Sequence, residues 1–190
     1  MDHDFITVVS GLPRSGTSMM MQMLDAGGLP AVTDNIRTRD EDNPKGYYEF
    51  EPVKKTREDP SWVPTACGKV VKMVYRLLYD LPGGFEYRVV FMRRHMDEVL
   101  ASQDKMLQRA GRQGGNATPE QMAALFRREL DKVDDWLQSQ PHFSVMDVQY
   151  HEMIADPVPL CEALNTFLGG RLDVRRMAGV VDPSLYRNRS

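Results

Sequence analysis

The sequence has little cysteine, and its histidines form no cluster. Among 190 residues there are two cysteines and four histidines. Cys67 and Cys161 lack the spacing of a metal-binding or redox motif, and two cysteines are too few for a disulfide framework. These absences predict that there is no metal site and that the compartment is reducing, so we expect a cytoplasmic protein.

A basic excess and a long apolar run are also missing. The chain carries 24 Lys and Arg against 27 Asp and Glu, a formal net charge of -3, whereas general binders of nucleic acid or acidic membranes carry a broad positive excess. No apolar run approaches the length of a membrane span, and the first apolar strand begins too close to Met1 for a signal peptide. The length and the 42% hydrophobic content predict a single domain, residues 1–190, with a sizeable core.

What the chain does have is a strand, turn and helix pattern at its beginning. Residues 5–10 are apolar and β-branched, residues 11–16 contain two glycines, and residues 17–26 have the pattern of an amphipathic helix. Glycines allow backbone N–H groups to approach an anion, and a helix N-terminus adds unpaired donors and partial positive charge. The pattern predicts an anion-binding loop, although an ordinary strand-turn-helix connection looks the same.

The loop departs from the nucleoside triphosphate-binding motif at one important position. Gly11 and Gly16 have the spacing of G-x-x-x-x-G-K-[ST], but Thr17 stands where that motif needs lysine, and Arg14 lies inside the loop. We therefore expect the loop to hold an anionic group that need not be a nucleoside triphosphate.

Strand and helix patterns alternate along the rest of the chain. Thr118, Pro119 and Gln121 form a capping-box pattern, which predicts a helix start. The predicted strands are residues 5–10, 69–74, 87–92 and 143–148, and the predicted helices are residues 17–26, 52–57, 75–80, 96–109, 118–138, 153–168 and 173–179. This alternation predicts a three-layer α/β/α fold with a mainly parallel central sheet.

A pair of arginines follows the strand predicted at residues 87–92. Arg93 and Arg94 would lie at the same sheet edge as the glycine loop, where ligands of open α/β sheets bind. Arginine holds phosphate through parallel N–H bonds, and Ser102, two turns into the next helix, adds a hydroxyl. Alternatively, one arginine is solvated and the other pairs with Asp97 or Glu98.

Taken together, these motifs resemble those of sulfotransferases. Residues 13–18, Pro-Arg-Ser-Gly-Thr-Ser, are similar to that family's 5′-phosphosulfate loop, and Arg94 with Ser102 is similar to its 3′-phosphate signature. Residues 150–157 with residues 167–169 are similar to a C-terminal segment of the family. The resemblance implies a P-loop nucleotide-hydrolase-like fold and sulfuryl transfer from 3′-phosphoadenosine-5′-phosphosulfate (PAPS) to a hydroxyl or amine. The product would be 3′,5′-diphosphoadenosine (PAP), and no metal would be required.

The resemblance also implies roles for individual residues. Arg14 would contact the phosphosulfate as a catalytic group and offset charge on the bridging oxygen. A basic tail would close over the nucleotide, although a disordered tail is the alternative. The implied donor-binding residues are Pro13, Arg14, Ser15, Gly16, Thr17, Ser18, Arg94, Ser102, Tyr186 and Arg187.

A general base must take the proton of the acceptor. Residues 43–49 resemble a segment of bacterial sulfotransferases that ends in a catalytic glutamate, so Glu49 is the first candidate, followed by Glu51 and Asp34. Glu49 could instead favour the start of the helix that follows it. The acceptor is expected to be a hydroxyl group of a small molecule, a carbohydrate or a peptide.

Two other functions remain open at this point. One is a P-loop kinase of a small metabolite with Asp147 as its metal ligand, and the other is a nucleotide-binding module without catalysis. Lys54, Lys55, Lys105 and Arg109 are cations that could neutralise the donor, and Trp62 could stack on a ring, although solvated faces and core burial are the simpler expectations.

Overall fold

A parallel sheet forms the centre of the molecule. The computed structural model describes residues 5–34, 48–109, 111 and 117–182. Within these ranges the sheet has the strand order β2-β1-β3-β4, and all pairings are parallel. The strands are β1 (Phe5–Gly11), β2 (Val70–Lys72), β3 (Glu86–Arg93) and β4 (Phe143–Gln149). The predicted parallel sheet is therefore confirmed.

Helices and short 3₁₀ turns connect the strands. The helices are α1 (Thr17–Ala26), α2 (Met96–Arg109), α3 (Pro119–Ser139), α4 (Tyr150–Ala155), α5 (Pro157–Phe167) and α6 (Val174–Ala178), and the 3₁₀ turns are Glu51–Lys55, Val63–Ala66 and Tyr75–Asp80. Gln121 N donates to Thr118 Oγ1 over 3.3 Å, and Thr118 N donates to Gln121 Oε1 over 2.9 Å. The predicted capping box at the start of α3 is thus confirmed.

The sheet separates two apolar cores. Because successive strand residues point to opposite faces, Ile6 and Val8 of β1 belong to one core and Val9 to the other. The first core contains residues of α2 and α3, and the second contains residues of α1, α4, α5 and α6. Met20, Met21 and Met23 of α1 are buried in the second core, as expected for methionines that fill a core. The α/β/α layering is confirmed.

The structure differs from the predicted elements in three places. The helix expected at residues 153–168 is divided into α4 and α5, because Asp156 is extended (φ -146°) and Pro157 has no N–H to continue the helical ladder. The strand expected at residues 69–74 is only the three residues of β2. The helices expected at residues 52–57 and 75–80 are 3₁₀ turns.

The carboxyl ends of the strands lie at one edge of the sheet. The glycine loop follows β1, Lys72 ends β2, Arg93 ends β3, and Tyr150 follows β4. Because all pairings are parallel, these groups lie along the same edge.

Candidate functional site

The loop between β1 and α1 is built around two glycines that no larger residue could replace without movement. Gly11 has φ +142°, and a Cβ there would lie 2.7 Å from both Met92 O and Ser15 Oγ. Gly16 has φ +101°, and its Cβ would lie 2.4 Å from Cδ2 of Tyr150. The glycines therefore serve both a left-handed backbone and close packing.

The start of α1 retains the properties of an anion site. Gly16 is the N-cap of the helix, and no side chain caps its first turn. Ser15 is buried, and its Oγ has no hydrogen-bond partner among the described residues. A buried hydroxyl without a partner is costly unless a ligand completes it. The loop therefore fits a phosphate or sulfate group that accepts from Ser15 and from the backbone N–H groups of the first turn.

Arg14 connects the loop to α2. Its backbone is left-handed (φ 72°), an uncommon conformation for a residue with a side chain. Its Nε donates to Ser102 Oγ over 2.9 Å. The structure thus brings together the two motifs that the sequence analysis treated separately, and Ser102 itself is buried.

Arg94 is buried in a set of internal contacts. Its Nε lies 2.7 Å from Glu98 Oε2, with side-chain exposures of 8% and 2% for the two residues. Its Nη1 donates to the backbone carbonyl of Arg14 over 3.1 Å, and its guanidinium lies 4.2 Å from the ring centroid of Tyr150. Burial raises the pKa of Tyr150, while the neighbouring charges of Arg94 and Arg14 act in the opposite direction. Arg94 therefore holds the backbone of the glycine loop through the carbonyl of Arg14, in addition to any role toward a ligand.

Arg93 is bonded to two carboxylates and does not extend freely into solvent. It donates from Nη2 to Asp134 and from Nε to Asp147, over 2.6 and 2.7 Å. Burial lowers the pKa of Arg93, but these hydrogen bonds outweigh burial, so the net shift is upward. Of the alternatives for the arginine pair, the Arg94–Glu98 pair is present, whereas a solvated second arginine is not.

A cavity of about 330 Å³ opens beside the loop. Arg14, Thr17, Ser18 and Glu49 all line it, so the structure brings the first base candidate to the predicted donor loop. Among the described residues that line the cavity, Glu49 is the one carboxylate. The described residues that line it are Gly11, Leu12, Pro13, Arg14, Thr17, Ser18, Glu49, Phe50, Val53, Lys54, Lys72, Met73, Val74, Leu77 and Met106.

Hydrogen bonds to its backbone carbonyl fix the position of Glu49. Its carbonyl accepts from Thr33 Oγ1 over 3.0 Å and from Asp34 N over 3.2 Å. The preceding residue, Tyr48, donates from its hydroxyl to Asp25 Oδ2 of α1 over 3.0 Å. The segment that carries Glu49 is therefore bonded to residues 33–34 and, through Tyr48, to the C-terminal end of α1.

The other base candidates have different surroundings. Asp34 Oδ2 accepts from the backbone N of Glu51 over 2.6 Å, and Glu51 is ion-paired with Lys54. The 3₁₀ turn begins at Glu51. The alternative role considered for Glu49, to favour the start of the following helix, therefore falls to Glu51. Neither Asp34 nor Glu51 is among the described residues of the cavity wall.

Lys72 is a cavity residue that was not predicted from the sequence. It ends β2 and lines the cavity together with Arg14. The available signal was its position at the carboxyl end of a predicted strand, beside the strand that leads into the glycine loop. Lys54 also lines the cavity, whereas Lys105 and Arg109 are exposed on α2.

The remaining residues predicted to contribute to the site are Trp62, Tyr186 and Arg187. Trp62 is buried in the core, where its Nε1 donates to Thr56 Oγ1 over 3.1 Å, so stacking on a ligand ring is not its role here. Tyr186 and Arg187 lie outside the described residues. In the described part of the chain no group of three or more metal-ligating side chains comes together, and no helix has the length and apolar character to cross a bilayer.

The fold and the loop define the class of protein first. A parallel sheet with helices on both faces, and a glycine loop that opens a helix after the first strand, is a P-loop-like α/β architecture. Two solved structures share it. The sulfotransferase domain from the Synechococcus PCC 7002 olefin synthase matches 100% of this chain and 84% of its own chain, with a TM-score of 0.57 and 15% identity. The sulfotransferase domain from the curacin biosynthetic pathway matches 97% of this chain and 90% of its own, with a TM-score of 0.55 and 14% identity.

A family model gives the more specific assignment. The model described as the sulfotransferase family matches residues 86–173, from the start of β3 to the residue before α6. No curated protein matches the sequence significantly. The chain is similar to the sulfotransferase family over residues 86–173, which confirms the resemblance stated from its motifs.

Proposed function

We propose that this protein transfers a sulfuryl group from PAPS to the hydroxyl of an acceptor, with Glu49 as the general base. The observation that carries this proposal is the cavity in which Glu49 meets Arg14, Thr17 and Ser18. A base must lie close to the group whose proton it takes, and the donor group must lie close to the acceptor.

The donor would be held through its two phosphate ends. The 5′-phosphosulfate fits the N-terminus of α1, where Ser15 Oγ lacks a partner among the described residues and no side chain caps the first turn. Pro13 and Thr17 complete the loop, and Ser18 follows in the first helical turn. Arg94 and Ser102 are proposed for the 3′-phosphate, and Tyr186 and Arg187 for the far side of the nucleotide.

The chemical step transfers one group and one proton. The acceptor oxygen would form a bond to sulfur while the bond between sulfur and the bridging phosphate oxygen breaks. Glu49 would receive the acceptor proton, a role that contributes ~10²–10⁴-fold in enzymes generally. Arg14 and Lys72 would stabilise the negative charge that develops on the phosphate side.

A kinase reading has weaker support from the same residues. Thr17 replaces the loop lysine, and the carboxylate of Asp147 accepts from Arg93 over 2.7 Å. A binding module without catalysis would keep the loop and lack the base, whereas here the carboxylate of Glu49 lines the cavity.

Replacement of Glu49 tests the proposal. We expect Glu49→Gln to lower kcat at least 100-fold while PAP binding stays within twofold, since the change removes the proton acceptor and leaves the loop intact (~10²-fold or more). Glu51→Gln is the matched control, because Glu51 is exposed and paired with Lys54. Unchanged turnover in Glu49→Gln would show that another group is the general base. Stabilisation by ATP with Mg²⁺ but not by PAP would overturn the proposed donor.

A further inference from the structure

Part of the cavity lining is apolar, in contrast to the polar glycine loop, and we call this part the apolar wall. Phe50, Val74, Leu77 and Met106 line it without offering a side-chain hydrogen-bond donor or a charged group. These residues come from four places in the chain: the segment before the first 3₁₀ turn, the exit of β2, the Tyr75–Asp80 turn and α2. The apolar surface is therefore assembled by the fold and does not follow from one amphipathic element.

Val74 distinguishes this wall from ordinary core. Its side chain is 43% exposed, whereas its neighbour Met73 is 1% exposed. Val74 directly follows Met73, whose N–H donates to the carbonyl of Val9 and so continues the sheet edge. A β-branched side chain exposed inside a concavity is covered when a ligand of matching apolar surface binds.

From this arrangement we propose that the acceptor is a small, uncharged alcohol or phenol with an apolar body and one reactive hydroxyl. The inference rests on the proposed function and names the substrate class of the same site. The hydroxyl would face Glu49, and the body would contact Phe50, Val74 and Leu77. A carbohydrate fits poorly, because its other hydroxyls would lose water without gaining partners at these side chains.

The size of the cavity fits the same class, and its charged side chains have other partners in the proposed function. A volume of about 330 Å³ is at the lower end of the ~300–1,000 Å³ typical of ligand pockets. Among the residues that the structure describes, the charged side chains of the lining are Arg14, Glu49, Lys54 and Lys72. In the proposed function Arg14 and Lys72 serve the donor and Glu49 serves the acceptor proton. Lys54 is ion-paired with Glu51, so the body of the acceptor is left to the apolar groups.

Acceptor series test the class directly. Steady-state transfer from PAPS to straight-chain primary alcohols should show KM falling roughly fourfold per added methylene until the wall is filled. The matched pair 4-methylphenol and 4-hydroxybenzoate isolates charge at constant size, and we expect 4-methylphenol to have at least tenfold higher kcat/KM. Glucose should be the poorest acceptor. A preference for glucose or for 4-hydroxybenzoate would overturn the proposal.

A pair of variants tests whether the apolar side chains of the cavity bind the acceptor. Val74→Asp should raise the KM for 4-methylphenol at least tenfold (on the order of one buried charge), a larger factor than any loss of PAP affinity that the added carboxylate causes. Val158→Asp is the control, because Val158 is 46% exposed on α5 and does not line the cavity. Equal behaviour of the two variants would remove the wall from acceptor binding.

Binding measurements separate this inference from the proposed function. Calorimetry of 4-methylphenol with the protein, with and without PAP, requires no sulfuryl transfer. Binding that Val74→Asp abolishes supports the apolar acceptor site even if no turnover occurs. Turnover with another acceptor, combined with no binding of 4-methylphenol, would reject the acceptor class and keep the sulfotransferase activity.

Discussion

Arg14 and Ser102 are joined by a hydrogen bond of 2.9 Å from Nε to Oγ, although 88 residues separate them in the sequence. One residue belongs to the loop after β1 and the other to α2, so this bond links the two proposed phosphate sites. Among the described residues, one neutral acceptor orients the side chain of Arg14, whose backbone is left-handed. The bond therefore sets where the cation points before a donor arrives.

Removal of the hydroxyl should release Arg14. We expect Ser102→Ala to weaken PAP binding by about 1–2 kcal/mol, because one neutral hydrogen bond and one phosphate contact are lost. Isothermal titration calorimetry with PAP measures the change. Adenosine 5′-phosphate, which lacks the 3′-phosphate, is the control ligand, and an equal loss for both ligands would contradict a 3′-phosphate role for Ser102.

Glu98 should restrain the affinity of the 3′-phosphate site. Its carboxylate pairs with Arg94 in a buried setting, so part of the arginine charge is already compensated. Glu98→Gln keeps the shape and removes the negative charge, and we expect tighter PAP binding together with a loss of stability of roughly 1–3 kcal/mol. Titration of PAP and urea unfolding measure the two effects.

Arg94→Ala gives the opposite test of the same pair. It leaves Glu98 buried without its cation, which costs about 3–5 kcal/mol of folding stability, so binding must be measured at a temperature where the variant is folded. If Glu98→Gln left PAP affinity unchanged, Arg94 would be a support for the loop and not a ligand for phosphate.

A pair of glycines separates backbone strain from crowding at the loop. Gly16 (φ +101°) and Gly28 (φ +98°) have similar left-handed conformations, but a Cβ at Gly28 meets nothing within 4 Å, whereas one at Gly16 meets Tyr150. Both Ala variants should lose roughly 1–2 kcal/mol from strain. Gly16→Ala should lose more and should also weaken PAP binding. Thermal unfolding with and without PAP compares the two variants. Identical losses of stability would show that the Tyr150 side chain moves aside without an energetic cost.

The two cysteines should differ in reactivity. Burial raises the pKa of Cys161 to about 11, while Cys67 is exposed. Because the thiolate is the nucleophile, a disulfide reagent at pH 8 should label Cys67 in the native protein and Cys161 only after unfolding. Two fast equivalents in the native protein would contradict the burial of Cys161.

The same shift predicts a loss of stability in alkali. The unfolded thiol releases its proton near pH 9, before the folded one, so the contribution of Cys161 is complete below that pH. It is lost as the pH rises toward 11. Urea unfolding between pH 8 and 11 should show a shallower decline in Cys161→Ala than in the parent protein.

Local patterns predicted much of the fold. The limits of α2, the start of α3 at Thr118 and the parallel sheet follow from periodicity, capping and strand alternation, all of which act over a few residues. The division between α4 and α5 was missed because one extended residue, Asp156, decides it. Local patterns carry too little information to place such a break.

The site was predicted where it depends on local motifs and missed where it depends on packing. The glycine loop and Glu49 could be named from their segments, but Lys72 and the apolar wall needed the cavity to be seen. The contacts of Arg93 with Asp134 and Asp147 join three elements, and no spacing in the sequence announces them.

The first strand has a consequence for how the site comes into being. β1 is the start of the described chain, yet it pairs with β2 and β3, which follow much later. Closing such long loops costs entropy before the distant contacts can repay it, so pairings of this kind form slowly. Arg14 reaches Ser102 only after this closure, and the phosphate site therefore exists only in molecules whose sheet is assembled. A nucleotide that binds both parts would select those molecules and act as a clamp on the finished fold.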